Sequence, residues 1–147
     1  MRSLHRTQIN LNTCRKNKIT GRNRDQTERA KMVMNSRTLW NDNWYFAKTA
    51  LGVNWEDRQI WEAKMQPVDL PHDWLIYDTK NLYEDSIGWY RKRFAYSTCD
   101  ERVIIRFEGV YMDSTIYVNG TRLGDWKYGY STFDWDITDA LHEGDNE

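Results

Sequence analysis

The stretch that most constrains the fold is Val118-Asn119-Gly120-Thr121. Asn-Gly between strand-forming residues is the strongest short-range hairpin signal, because both residues tolerate the positive φ of a type I′ turn. Ser114–Val118 is therefore expected to fold back on Thr121–Trp126. Apolar residues alternate with more polar ones on both sides of this turn: Val103, Ile105 and Phe107 before it, Ile116 and Val118 within it, Phe133, Trp135 and Ile137 after it. A period of two marks strands with one face buried and one face wet. The pattern predicts an all-β chain, folded as a two-layer antiparallel sandwich pinned by the Asn-Gly bend.

Composition separates this part of the chain from its beginning. Every Trp, Tyr and Phe lies at or after Trp40. Residues 1–34 hold nine Lys or Arg against Asp25 and Glu28, a charge of +7; since the whole chain is −1, the remainder carries −8. The opening segment has no sustained period and too little apolar surface to offset the entropy of ordering, so residues 1–34 are read as a disordered basic extension. A nucleic-acid-binding arm is the alternative for it. The acidic, aromatic remainder is poorly suited to nucleic acid, where phosphate contact is driven by Lys and Arg. Met32 and Met34 are candidate natural starts, with the basic segment an over-extended reading frame.

At 147 residues there is room for one domain with a sizeable core, and no room for a (β/α)₈ barrel of about 250 residues. Cys14 and Cys99 suggest no disulfide framework or cysteine metal site, and no cofactor or metal is expected. No run approaches 18 apolar residues and the N-terminus lacks the apolar core of a secretory signal, so no membrane partner and a cytoplasmic location are expected. Asn119-Gly120-Thr121 then reads as a turn and not as a glycosylation sequon.

Pro67 and Pro71 exclude a regular helix and place residues 67–74 in a loop or at a sheet edge. His72, Asp73 and Trp74 would then be carried on a rigid turn, where binding residues tend to sit. An indole such as Trp74 can cover the C–H face of a pyranose. A carboxylate such as Asp73 accepts hydrogen bonds from two adjacent sugar hydroxyls, and charged acceptors make the stronger bonds. The plainer reading has Asp73 capping a turn and Trp74 filling the core.

Several other segments carry expectations. Residues 39–46 read as an opening strand preceded by a turn. Residues 47–65 are open between a short helix and a loop with Trp55 and Trp61 packed inward. Residues 75–87 read as a long loop, 88–94 and 102–107 as strands. Tyr90, Phe94 and Tyr96 share one parity; Trp89, Arg91 and Arg93 share the other. The basic run Arg91-Lys92-Arg93 is read as a solvated face that pairs with the domain's excess acid, in preference to a phosphate site. Gly129, between Tyr128 and Tyr130, permits a close approach or a bulge, with domain packing or core favoured over a sugar contact for the two rings. Thr138 is expected to cap one helical turn over 139–141, broken by Gly144.

Five blocks in consistent order, L-P-H-D-W, G-W-Y-R-K, F-E-G-V-Y-M-D-S, Y-V-N-G and G-D-W-K-Y-G-Y-S-T-F-D-W-D-I-T, closely resemble the N-terminal sugar-binding domain of glycoside hydrolase family 2, the β-galactosidase family. The resemblance spans residues 39–147. It implies a jelly-roll, galactose-binding-domain-like sandwich over 35–147, which in the family precedes an immunoglobulin-like domain and a catalytic TIM barrel, here truncated before its last strand. It also implies that Asp73, the polar residue before the tryptophan of L-P-H-D-W, reaches towards the sugar pocket, with His72 and Trp74 as neighbours; some family members carry Asn at that position.

By the same resemblance, the two catalytic glutamates belong to the barrel, so no residue here is assigned a catalytic role and the chain alone is expected to be inactive. Implied partners are a β-galactoside and the catalytic barrel, with oligomerisation of the full-length enzyme open. Two other functions stay in view: an autonomous lectin-like module, and a structural sandwich mediating protein contacts. An absent final strand would leave backbone groups unpaired and lower solubility.

Overall fold

The structure, a computed structural model, describes residues 9–12, 37–74, 76, 80, 85–98 and 102–147. The readings on Cys14, Cys99, Met32 and Met34 lie outside them, as does most of the 75–87 loop. The described residues form an all-β sandwich with very little helix. The strands are β1 (Ile9–Asn12), β2 (Arg37–Leu39), β3 (Trp44–Ala50), β4 (Gln66–Val68), β5 (Ser86–Arg91), β6 (Phe94–Tyr96), β7 (Ile104–Phe107), β8 (Ser114–Val118), β9 (Thr121–Trp126), β10 (Phe133–Asp136) and β11 (Gly144–Asn146). One helical turn, α1 (Arg58–Glu62), follows β3.

They pair as four antiparallel ribbons in the orders β10-β7-β1-β2, β4-β3-β5, β11-β6 and β8-β9. Residues from five strands meet in one core: Trp44 from β3, Tyr96 from β6, Ile105 and Phe107 from β7, Val118 from β8 and Phe133 from β10, joined by Leu70, Val103 and Ile137. The alternating residues named from the sequence are largely the ones that fill it, as period-two patterning requires.

The hairpin is the one the sequence predicts. Asn119 and Gly120 both have positive φ, 50° and 81°, and β8 pairs with β9 from Val118↔Thr121 to Ser114↔Trp126, with an irregularity between Ile116 and Tyr117. The Asn119 side chain does more than permit the turn. Its Nδ2 donates to the carbonyl of Ala140 at 2.8 Å and to Asn146 Oδ1 at 2.7 Å, while its Oδ1 accepts from the Glu147 N–H at 2.9 Å. Asn146, only 3% exposed, uses its whole amide: Oδ1 also accepts from the His142 N–H, and Nδ2 donates to the carbonyls of His142 and Gly144. The turn and the β11 segment are thereby one hydrogen-bonded unit.

Several expectations are corrected. Ile9–Asn12, read as part of a disordered extension, forms a strand that bridges β7 and β2; its Ile-Asn-Leu-Asn alternation is too short to stand out in a basic segment. The 88–94 strand is two strands broken at Lys92 and Arg93, and β5 begins at Ser86, inside the stretch read as loop. Residues 47–65 combine the end of β3 with α1; Trp61 is buried, whereas Trp55 is half-buried and stacks on Tyr117 at 4.0 Å. Thr138 does not cap the 3₁₀ turn Thr138–Ala140 with its side chain. Its hydroxyl donates to Asp136 Oδ1 and accepts from the Val103 N–H, so the side chain is spent joining β10 to the start of β7.

The basic run pairs with acid through its two arginines, but it is not solvated throughout, the Arg91 side chain being 14% exposed. Arg91 lies 3.2 Å from Glu62, and Arg93 lies 3.3 Å from Glu147, which also holds Arg58 at 2.6 Å. Lys92 sits between the rings of Trp40 and Trp44, 5.5 and 5.6 Å from their centroids, and donates to the Asp42 carbonyl. Both Asn side chains of the hairpin unit can be tested separately. Asn146→Ala strands several buried polar groups and should lower unfolding free energy by about 2–4 kcal/mol, while Asn119→Gly keeps the turn backbone and should cost about 1–3 kcal/mol, both read by urea denaturation.

Candidate functional site

The segment 67–74 is held in place before it reaches its polar residues. Pro67 lies in β4, at the edge of the β4-β3-β5 ribbon, opposite Tyr45. Edge placement fits a residue without an N–H to donate. Asp69 Oδ1 accepts the N–H of Asn43, whose φ is +59°, at 2.9 Å, and the Leu70 N–H donates to the Asn41 carbonyl at 2.7 Å. Leu70 is buried, and the Leu70–Pro71 peptide is cis. The turn at 41–43 and the core thus fix the chain on which His72, Asp73 and Trp74 follow.

His72 and Trp74 lie over one face of the β3–β5 pair, with Asp73 between them in sequence. Phe46 and Tyr90 are directly opposite in that pair, and Gly88 lies two residues before Tyr90 on the same face. His72 rests on Phe46 at 4.6 Å between centroids, and its Nδ1 is 2.8 Å from the Tyr90 hydroxyl, which also points at the His72 carbonyl at 3.4 Å. Trp74 stacks on Phe46 at 5.5 Å and 21°. A Cβ at Gly88 would lie 2.6 and 2.8 Å from two carbons of the Trp74 ring, so only glycine lets the indole lie this deep. The indole N–H is buried with no partner among the described residues, so Trp74 presents carbon and not a donor.

Electrostatics follow from this apolar floor. Burial pushes the His72 imidazole below its ordinary pKa of 6.5, with the Asp73 charge pulling the other way. Burial also raises the Tyr90 phenol, and Asp73 adds to the effect. Both groups are neutral at physiological pH. Asp73 is half-buried and close enough for its charge to act on both His72 and Tyr90.

His72 and Trp74 share one aromatic floor, and Asp73 between them in sequence retains partial access to solvent. Trp74 leans inward, closer to the core-filling alternative than to a free platform. Sequence reading missed Phe46, Gly88 and Tyr90, which build the floor. Gly88 carried a usable signal, since a glycine inside a strand marks close approach of another group. Among the described residues no three His, Cys, Asp or Glu side chains are grouped to hold a metal ion, and no helix is long and apolar enough to cross a membrane.

No protein-family model matches the sequence. The chain is 40% identical over 86 residues to the β-galactosidase BoGH2A of Bacteroides ovatus, covering 50% of this chain and 10% of that protein. It is 30% identical over 112 residues to a β-glucuronidase of Bacteroides fragilis, covering 73% of this chain and 15% of the relative. A solved glycosyl hydrolase family 2 member from Bacteroides cellulosilyticus superposes with a TM-score of 0.56 at 26% identity, covering 73% of this chain and 16% of that one. The chain carries a domain of glycoside hydrolase family 2. This family 2 domain spans between 10% and 16% of the length of those relatives.

Two outcomes follow for the floor of the family 2 domain. Gly88→Ala should drive the Trp74 ring outward at a cost of about 1–3 kcal/mol, seen as a changed near-ultraviolet circular dichroism spectrum with far-ultraviolet signal intact. His72 has a lowered folded pKa, so the folded state binds fewer protons than the unfolded chain. Stability is then full above pH 6.5 and falls as pH drops through 6.5 towards the folded value. The carboxylates with lowered pKa, Glu62, Asp125, Asp134 and Asp136, lose their contribution only from ordinary values of 4.5 and 3.8 downward. Between about pH 7.5 and 5.5, urea midpoints should therefore fall in the wild type and stay nearly flat in His72→Asn.

Proposed function

We propose that this domain contributes Asp73 to the recognition of the sugar ring of a β-glycoside, and braces a catalytic barrel that supplies the cleaving residues. The observation that supports this reading is the neutral, aromatic floor of Phe46, Trp74, Tyr90 and His72, with the half-buried Asp73 on the segment that crosses it. Hydroxyl hydrogens of a sugar suit a carboxylate acceptor, and low polarity of the kind that Phe46, Trp74, Tyr90 and uncharged His72 create strengthens bonds to it. His72 and Tyr90 hold the backbone on one side of Asp73, and the Trp74–Phe46 stack holds it on the other. The backbone that carries Asp73 is thereby held, so little of its conformational freedom is left to lose on binding.

The chemistry available here is recognition and not bond cleavage. Retaining hydrolysis requires an acid and a nucleophile about 5 Å apart. Asp73 would have to find its partner on another part of the enzyme, which is where the family resemblance puts both catalytic glutamates. The β-galactosidase and β-glucuronidase names of the relatives support a β-linked glycoside as the ligand class, with a β-galactoside as the preferred case.

In an enzyme carrying this domain, Asp73→Ala should lower kcat/KM for a β-galactoside by about 10–100-fold, from the loss of charge-assisted hydrogen bonds, with an unchanged melting temperature. Asp73→Asn keeps an acceptor oxygen and should retain part of the activity. Kinetics of both variants indistinguishable from wild type would remove Asp73 from the site.

A further inference from the structure

The loop joining β9 to β10 carries the largest exposed aromatic side chains among the described residues: Tyr128 is 62% exposed and Tyr130 56%. They are close, 5.8 Å between centroids at 60°, so their rings make an open corner. Large exposed rings are ordinary on a mobile loop, but here the backbone beneath them is tied down. At the base, the Trp126 indole donates to Ser131 Oγ at 3.1 Å and stacks on Phe133, which stacks on Phe107 in the core. In the middle, Gly129 is buried, and a Cβ there would lie 2.6 Å from the Met112 nitrogen. The loop therefore lies directly on the backbone of residues 111–112, with the tyrosines on either side of the contact. Rigid aromatic side chains held in water in this way lose little entropy when something covers them.

The rim of the corner is polar. Lys127, next to Tyr128, pairs with Asp113, next to Met112, at 3.0 Å; their side chains are 78% and 63% exposed. Ring faces flanked by a phenol, an ammonium and a carboxylate match an amphipathic ligand with a C–H face and a hydroxyl edge. A pyranose has both: its axial C–H bonds carry the positive charge that favours a π face, and its hydroxyls suit the charged and phenolic groups. A stable protein contact would demand about 800 Å² per partner with an apolar centre, whereas the apolar groups here, Met112, Tyr128 and Tyr130, are bordered directly by an ion pair.

We propose that Tyr128 and Tyr130 form a second carbohydrate-binding platform, on a different loop from Asp73, for a pyranose unit of a β-linked glycan chain. It holds polymer or oligosaccharide against the surface and transfers no bond. With one or two sugar units engaged, the affinity is in the millimolar range, about 1 mM.

The test is a ¹H–¹⁵N NMR titration of the 147-residue chain with cellotetraose and with lactose. Expected are shifts at the amides of Met112, Lys127, Tyr128, Gly129 and Tyr130, weakened at least tenfold in Tyr128→Ala/Tyr130→Ala and preserved in Asp73→Ala. Tyr128→Phe keeps the ring and should retain most of the binding, which separates lost stacking from a disturbed loop. Three results would overturn the proposal: no shift at these amides with either sugar, equal affinity in the double variant, or concentration-dependent broadening of these amides without sugar, which would assign the surface to a second copy of the chain. Loss of the Asp73 effect on kcat/KM would leave this platform untouched, so the two readings fail separately.

Discussion

The architecture depends on the amide of Asn119. One residue occupies a left-handed backbone position that the hairpin needs and spends both amide hydrogens and its amide oxygen on a different part of the chain. Its backbone joins in, the Asn119 N–H donating to the Glu147 carbonyl at 2.9 Å. Asn146 repeats the pattern from the other side with its whole amide satisfied. In a buried setting an amide is stabilising only when every group is matched, so the unit either forms completely or not at all. It locks β11 alongside the turn, and β11 pairs with β6 in a register from Gly144↔Tyr96 to Asn146↔Phe94. Asn119 is therefore committed to internal hydrogen bonds, which agrees with reading Asn-Gly-Thr as a turn.

A second organising element is the β3–β5 pair, which is covered on both faces by different chemistry. One face carries Trp89, which stacks on buried Trp61 of α1 at 5.1 Å and donates to Thr49, and beyond it the cluster of Arg58, Glu62, Arg91, Arg93 and Glu147. The other carries Phe46, Gly88 and Tyr90, on which His72 and Trp74 lie. Because successive residues of a strand face opposite ways, G-W-Y-R serves both faces at once: Gly88 and Tyr90 for the candidate site, Trp89 and Arg91 for the ionic face. A slip of one residue in this ribbon would exchange the two sets, placing arginines against Trp74. The site is consequently specified by the sheet's register as much as by its own residues.

How much of this was legible in the sequence depended on whether a signal was local. The hairpin was, because Asn-Gly fixes its own geometry, and so were β7 and β10, whose alternation is set by one buried face. The parity split of 88–96 was legible for the same reason, whereas the pairing of the basic run with acid followed from the domain's excess negative charge, its partners Glu62 and Glu147 lying far along the chain. The break at Lys92 and Arg93 was not, since it arises where Lys92 inserts between Trp40 and Trp44, a contact between distant segments. The same holds for Thr138, whose hydroxyl is claimed by Val103 and Asp136, and for β1, whose partners come from β7 and β2 far along the chain. For the site, His72-Asp73-Trp74 stood out because two prolines, Pro67 and Pro71, lead into it; the floor beneath it did not, because Phe46 and Tyr90 look like any strand aromatics until the register makes them neighbours.

The inward lean of Trp74 bears on how such a site selects a ligand. An indole flat on the surface would favour any sugar with an apolar face, whereas one sunk against Gly88 and Phe46 has already used much of that face for packing. Selectivity in the proposed role then rests on Asp73 and on the distance at which the floor holds it. A carboxylate rewards a hydroxyl in the right place with a charge-assisted bond, which discriminates more strongly than a change in apolar contact. The proposed Tyr128–Tyr130 corner has the opposite character, with open ring faces and a solvated rim, and suits loose attachment to repeating units. One family 2 domain would in this way hold a chain broadly at one loop and read a single ring narrowly at another.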